Sequence, residues 1–249
     1  MGNYNNFSLF YDIFTLDVDY KSRTEYLLKI FDKWDKKPTL LLDFACGTGN
    51  FSVEFAKMGI DVIGVDKSEG MLAAAMDKNK SLKNKVLYLN QSGSELDLYG
   101  TVDGAVCCLD SLNHITDSEE LQKTVSKISL FLEPECLFVF DMNTPYKHVG
   151  VLDGSTYRTK KRGVECVWTN TLQKDGATVE IELNFTYKTG LFKRETVTEI
   201  IREKAYTAEE ITKMLENAGL KLEAVYGENT FDLPTDKTQR IVYVARKVK

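Results

Sequence analysis

Apolar positions along the chain change period twice, and the changes divide it into predicted layers. Over residues 19–34, Tyr26, Leu27, Ile30, Phe31 and Trp34 recur at helical spacing, and Pro38 ends the segment. Residues 40–44 form a continuous apolar run broken only by Asp43, the mark of a parallel strand buried on both faces. Short apolar runs at 62–65, 86–89, 102–108 and 136–140 then alternate with helical segments. The helical segments are 51–58, stopped by Gly59, the alanine-rich 71–76, and 121–132 with its stripe of Leu121, Val125, Ile128, Phe131 and Leu132. Five strands alternating with helices predict an α/β fold, a doubly wound sheet with helices on both faces. Such sheets bind ligands at the carboxyl ends of their strands.

The period then becomes two. Val164, Cys166 and Trp168, then Val179, Ile181, Leu183 and Phe185, then less strictly Phe192, Val197 and Ile200 alternate with polar residues across 163–203. Turn signals separate them at Lys174, Asp175 and Gly176, and at Lys188, Thr189 and Gly190. This pattern predicts an antiparallel meander inserted after the fifth strand. Thr207 with Glu210 reads as a capping box, Gly219 as the end of that helix, and 220–226 and 241–245 as two final strands of a seven-stranded, mostly parallel sheet. The predicted organisation is an N-terminal helical cover, residues 1–36; a core, 37–145 and 204–249; and an inserted β lid or substrate subdomain, 146–203.

Composition narrows the function. A net charge of -5 disfavours wrapping around nucleic-acid phosphates. No apolar run reaches the roughly 18 residues of a membrane span, and the first residues lack the basic leader and cleavage site of a secretory signal. The five cysteines are odd in number and without zinc spacing, so reduced thiols, no metal and a cytoplasmic location are the expectation.

The chemistry concentrates at residues 41–51, LLDFACGTGNF, a strand running into a glycine loop and a helix. Gly47 and Gly49 let a ligand approach the backbone. A dinucleotide loop would carry a third glycine where Ser52 stands, and Asp43, a carboxylate before the loop, opposes a pyrophosphate and suits a cationic or amine-bearing ligand. Asp66 ends the second strand, where an acid accepts hydrogen bonds from ribose hydroxyls.

At these residues the chain resembles the class I S-adenosylmethionine-dependent methyltransferases, and the small-molecule subgroup in particular. The likeness rests on Asp43, Ala45, Cys46, Gly47, Thr48 and Gly49 in the glycine loop, on VIGVDKSEGML at 62–72, on TVDGAVCCLDSLNHI at 101–115, and more weakly on the N-terminal segment. It implies S-adenosylmethionine as cofactor and S-adenosylhomocysteine as its product. Gly47 and Gly49 would face the methionyl part, Asp66 the ribose, and Lys67 and Met71 the adenine. Gln91 and Ser92 stand where the family usually places an acid for the adenine amine, and Cys108 and Leu109 would line the end of the fourth strand. An N-terminal tyrosine of that subgroup touches the methionyl end; of Tyr4, Tyr11 and Tyr20, Tyr11 is the choice.

Methyl transfer is an in-line displacement that alignment largely drives, so no triad is required. His114, after the fourth strand, is the leading candidate for a general base, with Asp110 and Asn113 beside it. His148 is a weaker candidate. DMNTPY at 141–146 follows the fifth strand rather than the fourth and lacks a second proline, which disfavours an adenine-N6 methylating loop. Lys160, Lys161 and Arg162 read as a solvated turn before an anion site. Tyr157, Trp168, Phe185 and Tyr187 place aromatics on the predicted lid. The expected function is methyl transfer to a small-molecule acceptor, with an RNA or protein methyltransferase, a non-catalytic binding protein and an oxidoreductase as the alternatives.

Overall fold

The computed structural model describes residues 7–190 and 193–248; Tyr4 and Phe192 lie outside the described residues. The chain opens with helices α1 (Phe7–Phe14) and α2 (Tyr20–Lys33), then β1 (Leu40–Phe44), α3 (Asn50–Lys57), β2 (Asp61–Asp66), α4 (Glu69–Asn79), β3 (Leu87–Asn90) and β4 (Val102–Cys107). It continues through a 3-10 turn (Ser111–His114), α5 (Ser118–Phe131), β5 (Leu132–Asn143) and a short turn α6 (Pro145–Lys147) that passes into a π-helical turn (His148–Leu152). Strands β6 (Thr156–Lys161), β7 (Val164–Leu172), β8 (Thr178–Lys188) and β9 (Arg194–Lys204) follow, and α7 (Ala208–Asn217), β10 (Leu220–Gly227) and β11 (Arg240–Lys247) complete the chain.

Seven strands form one sheet in the order β10-β11-β5-β4-β1-β2-β3. All pairs from β5 to β3 are parallel, and β11 lies antiparallel between β5 and β10. Alternate residues of each strand serve opposite faces. Leu41, Val62, Val106 and Val139 pack under Ile30, Phe31 and Phe55 of α2 and α3. Leu42, Val65, Ala105 and Phe138 pack under Leu121, Val125 and Ile128 of α5 and Ile211 and Leu215 of α7. The fold is the doubly wound α/β sheet that the strand–helix alternation predicts. β5 is longer than its apolar run because β11 pairs with it from Leu137 to Asn143, supplying backbone partners where the sequence turns polar.

The antiparallel sheet β6-β7-β8-β9 lies between β5 and α7 in the chain. It has one strand more than the alternation from 163 predicts. β6, TYRTKK, carries no apolar period, and pairing with β7, in which Tyr157 faces Trp168 across the register, makes it a strand. Its lysines protect it as an edge. The inner face of this sheet, with Val164, Cys166, Val179, Ile181, Leu183, Phe185 and Ile201, forms its own core, closed by Leu152 and by Phe10 of α1. The Phe10 ring stacks on Phe185 at 4.8 Å and Phe14 leans on the same ring at 5.4 Å. On its other side α1 is tied to the glycine loop: Asp12 accepts from Thr48 Oγ1 at 2.6 Å and Asn50 Nδ2 at 3.0 Å, and pairs with Lys78 at 2.7 Å. Burial alone would raise the Asp12 carboxyl, but Lys78, Thr48 and Asn50 outweigh it and hold it low. α1 therefore bridges the two sheets. Among the described residues no helix is long and apolar enough to cross a membrane, and all five cysteines are free thiols.

Candidate functional site

A cavity of about 740 Å³ runs from the carboxyl ends of β1, β2 and β4 to the inner face of the antiparallel sheet. Its first half holds the residues of the glycine loop and the second strand. Gly47 lines it with φ +56°, and a Cβ there would meet nothing within 4 Å. Asp66 accepts the Gly47 N–H at 2.8 Å on one oxygen and the Ser68 N–H at 2.8 Å on the other. Each oxygen keeps acceptor capacity toward the cleft. Burial raises the Asp66 carboxyl, although these two N–H groups pull it back. Ala45, Lys67, Met71, Gln91, Ser92 and Leu109 also line this half. The Gln91 amide is committed to the Asp97 backbone in both directions, and the Ser92 hydroxyl donates to Glu95 at 2.8 Å, so an acid does stand beside the serine.

Two expectations from the sequence need correction. Gly49 lines neither cavity: an added Cβ would strike Tyr88 Oη and come within 2.9 Å of Ala75 Cβ, so this glycine serves close packing of the loop on β3 and α4. Asp43 is not an open charge before the loop. It is 1% exposed, it accepts Ser52 Oγ–H at 2.5 Å, and burial pushes it up to about 7, reinforced by Asp66 and opposed by Ser52. Ser52, which stands where a dinucleotide loop has its third glycine, is the partner that makes this buried acid tolerable. Asp43, Cys46, Thr48 and Cys108 border a small adjoining pocket of about 30 Å³ rather than the main cavity, together with Tyr11 and Tyr20. Tyr11, on α1, lines both, and its phenol is raised by burial, then by Tyr20 and Asp110.

At the middle of the cavity the chain after β4 turns through two consecutive left-handed residues, Leu109 (φ 55°) and Asp110 (φ 52°). Such backbone costs about 1 kcal/mol or more per residue. The Asp141 carboxylate holds it, accepting the Leu109 N–H at 2.9 Å and the Asp110 N–H at 2.7 Å. Arg240 of β11 donates to Asp110 at 2.8 Å and lies 3.7 Å from Asp141. Despite burial, Asp110, Asp141, Glu228 and Glu203 keep this guanidinium well above its ordinary range. Burial opposes ionisation of Asp110 too, but Arg240 and Lys147 outweigh it and hold that carboxyl low.

His114 sits on the 3-10 turn that follows, in the cavity wall. Asn113 fixes the turn: its amide donates to the carbonyls of Asn143 (3.2 Å) and Lys204 (2.8 Å) and accepts the Asn143 N–H at 2.9 Å. His114 Nε2 stands 3.7 Å from Glu203 Oε1. The other Glu203 oxygen accepts Asn143 Nδ2 at 3.0 Å and lies 3.7 Å from Nε2 of His148, whose Nδ1 meets the Ala177 carbonyl at 2.8 Å. His148 is fully buried behind Glu203 and does not line the cavity. Lys161 lines it and is paired with Asp17, while Lys160 and Arg162 are exposed. Tyr157 and Trp168 meet edge to face at 5.8 Å and line it while remaining 43% and 38% exposed, so they mark its mouth.

Glu203 and Arg240 escape motif reading, and Asp141 and Asn143 enter it only within DMNTPY, whose adenine-methylating reading says nothing of the roles they have here. A signal for Glu203 exists in the alternation itself. Val197, Glu199, Ile201 and Glu203 share one parity of β9, and an acid on an apolar face asks for a reason. Arg240 opens β11 and has no comparable local signal.

Comparisons with known proteins agree with the geometry. A family model described as a methyltransferase domain matches residues 41–135. The crystal structure of an S-adenosylmethionine-dependent methyltransferase from Clostridium acetobutylicum ATCC 824 is 30% identical, covers 99% of both chains and superposes with a TM-score of 0.88. A Geobacillus sp. (strain WCH70) protein that carries the provisional name of a methyltransferase is 26% identical over 98% of this chain and 99% of its own. The S-adenosylmethionine-bound amino pentose methyltransferase CalS10 of Micromonospora echinaspora shares the fold at 20% identity, with a TM-score of 0.74 over 93% and 92% of the two chains.

Proposed function

The chain belongs to the class I S-adenosylmethionine-dependent methyltransferases, and we propose that its methyl acceptor is a small molecule bound beneath the antiparallel sheet, with His114 as the general base. The cofactor supplies an electrophilic methyl group on a sulfonium. The donor set suits it: Asp66 and the open Gly47 offer acceptors and close backbone approach for a ribose, and the Asp66 carboxyl lining the cleft disfavours a pyrophosphate. In this reading Asp66 takes the ribose hydroxyls, Lys67 and Met71 flank the adenine, Gln91 and Ser92 border its amine, and Ala45, Gly47 and Leu109 follow the methionyl chain. Tyr11 closes that end from α1. Cys46, Thr48, Gly49 and Cys108 shape the loop from behind, and Asp43 acts through Ser52 rather than on the ligand.

The observation that carries the small-molecule reading is that one continuous cavity joins the glycine loop to the antiparallel sheet. The cofactor half opens into a chamber walled by Phe14, Leu152, Cys166, Ile181, Leu183 and Phe185, which suits a compact ligand and not a polymer. Residues 1–36 act as a cover, 37–145 and 204–249 as the cofactor core, and 146–203 as the acceptor subdomain. His114 removes the proton of the acceptor's nucleophilic atom, and Glu203 stabilises the resulting imidazolium across 3.7 Å. The test is incubation of the protein with methyl-labelled S-adenosylmethionine and a cell extract. Label in the dialysable fraction supports the proposal; label confined to RNA or protein overturns it.

A further inference from the structure

The charges around the acceptor chamber are unevenly answered. Arg240 is paired with Asp110, Lys147 lies 4.0 Å from the same carboxylate and donates to Asn143 Oδ1 at 2.8 Å, and Lys161 is paired with Asp17. Glu203 differs. Its side chain is 9% exposed and lines the chamber, and although Arg240 feels its charge, among the described residues no lysine or arginine lies within ion-pair distance of it. One oxygen is fixed by Asn143. The other, Oε1, faces His114 Nε2 at a distance too long for a hydrogen bond between them. Phe14, Leu152, Cys166, Ile181, Leu183 and Phe185 supply an apolar wall facing these polar groups.

We propose that the acceptor is a primary or secondary amine on an apolar body, its ammonium held by Glu203 Oε1 and deprotonated by His114 Nε2. The inference rests on the small-molecule reading above. Two acceptor atoms 3.7 Å apart can both be reached by one nitrogen with hydrogen bonds of about 2.8–2.9 Å. An ammonium carries the several N–H donors this requires. A hydroxyl has one: given to His114, it would leave oxygen lone pairs against the Glu203 carboxylate. A carboxylate or phosphate acceptor would meet that anion with no free cation provided for it.

The proton balance is also favourable. The ammonium passes one proton to His114, giving a neutral amine and an imidazolium, so Glu203 faces one positive charge before and after the transfer. The amine lone pair then forms the bond to the methyl carbon, the carbon–sulfur electron pair remains on sulfur, and the product is an N-methylated ammonium. The apolar walls and the Tyr157–Trp168 mouth take the rest of the molecule by burial.

The test is calorimetric, on the protein saturated with S-adenosylhomocysteine. The probes are 2-phenylethylamine, 2-phenylethanol and phenylacetate, with the cyclohexyl series beside them. The expected result is that at least one amine binds roughly tenfold or more tighter than its alcohol, with the acid weakest. Glu203→Gln, which keeps an acceptor for Asn143, should erase that preference. Equal or tighter binding of the alcohols or acids, no binding of either amine, or a preference unchanged in Glu203→Gln would overturn the amine assignment. The preference in the unsubstituted protein decides the matter even if the variant folds poorly. S-adenosylhomocysteine is titrated first: if it fails to bind, the cofactor-site reading falls and the amine assignment with it. If it binds and the amines show no preference, the amine assignment alone falls.

Discussion

At the cofactor end of the cavity, Asp66 bonds Gly47 across 19 residues of sequence, from one parallel strand to the loop of its neighbour. At the end proposed for the acceptor, Glu203 reaches Asn143 across 60 residues and Arg240 reaches Asp110 across 130. The first end is assembled by the strand–loop–helix unit itself, so its polar groups sit where a parallel sheet puts every strand's carboxyl end. The second is assembled only when the antiparallel sheet and β11 are folded onto the core. One end thus depends on local backbone geometry, and the other on docking of distant elements. The same cavity can therefore keep its cofactor chemistry while its acceptor chemistry is set elsewhere.

The comparison can be broken by substitutions that act on one end only. The largest effect is expected for His114→Asn. Loss of the proposed base should lower methyl transfer into the dialysable fraction by roughly 10²–10⁴-fold. Affinity for S-adenosylhomocysteine should stay unchanged by calorimetry, and undiminished transfer across the pH range would remove His114 from the base role.

Next is Asp43. Its folded pKa of about 7 lies above the ordinary value of 3.8, so between these values the folded chain holds a proton that the unfolded chain has released. This residue's contribution to stability is therefore largest at acid pH and is lost as pH rises through 7, by as much as about 4 kcal/mol. Asp43→Asn should flatten that part of the profile of melting temperature against pH. An unaltered profile would show that Asp43 ionises normally.

Asp66→Ala should weaken S-adenosylhomocysteine binding by about 2–4 kcal/mol, since ribose acceptors and the anchor of the Gly47 N–H go together. Gly49→Ala should cost about 1–3 kcal/mol of stability in a thermal melt, through overpacking on Tyr88 and Ala75 in a left-handed conformation. A silent substitution would mean the loop can move away from β3.

The core was readable because its signals are short-range. The buried run at β1, the glycine loop, the capping box at Thr207 and the left-handed Gly219 each specify their own neighbourhood. β6 was not readable, because six mostly exposed residues without an apolar period become a strand only by pairing with β7. The places read for Gly49, at the cavity, and for Asp43, as an open charge, differ from the structure for a related reason. A motif names the residues of a loop but not which side of it the ligand takes, and here Tyr88 occupies the back of Gly49 and Ser52 the carboxyl of Asp43. His114, singled out by its place after the fourth strand, and Tyr11, singled out by the resemblance, both line the cavity; Glu203, between His114 and Asn143, needed the folded sheet to be seen.

The division of labour between the two ends is tested most directly by one calorimetric series: S-adenosylhomocysteine titrated into the unsubstituted protein, Asp66→Ala and Glu203→Gln. The expected result is a marked loss of affinity for Asp66→Ala and none for Glu203→Gln. Equal losses in both variants, or full affinity in Asp66→Ala, would contradict it.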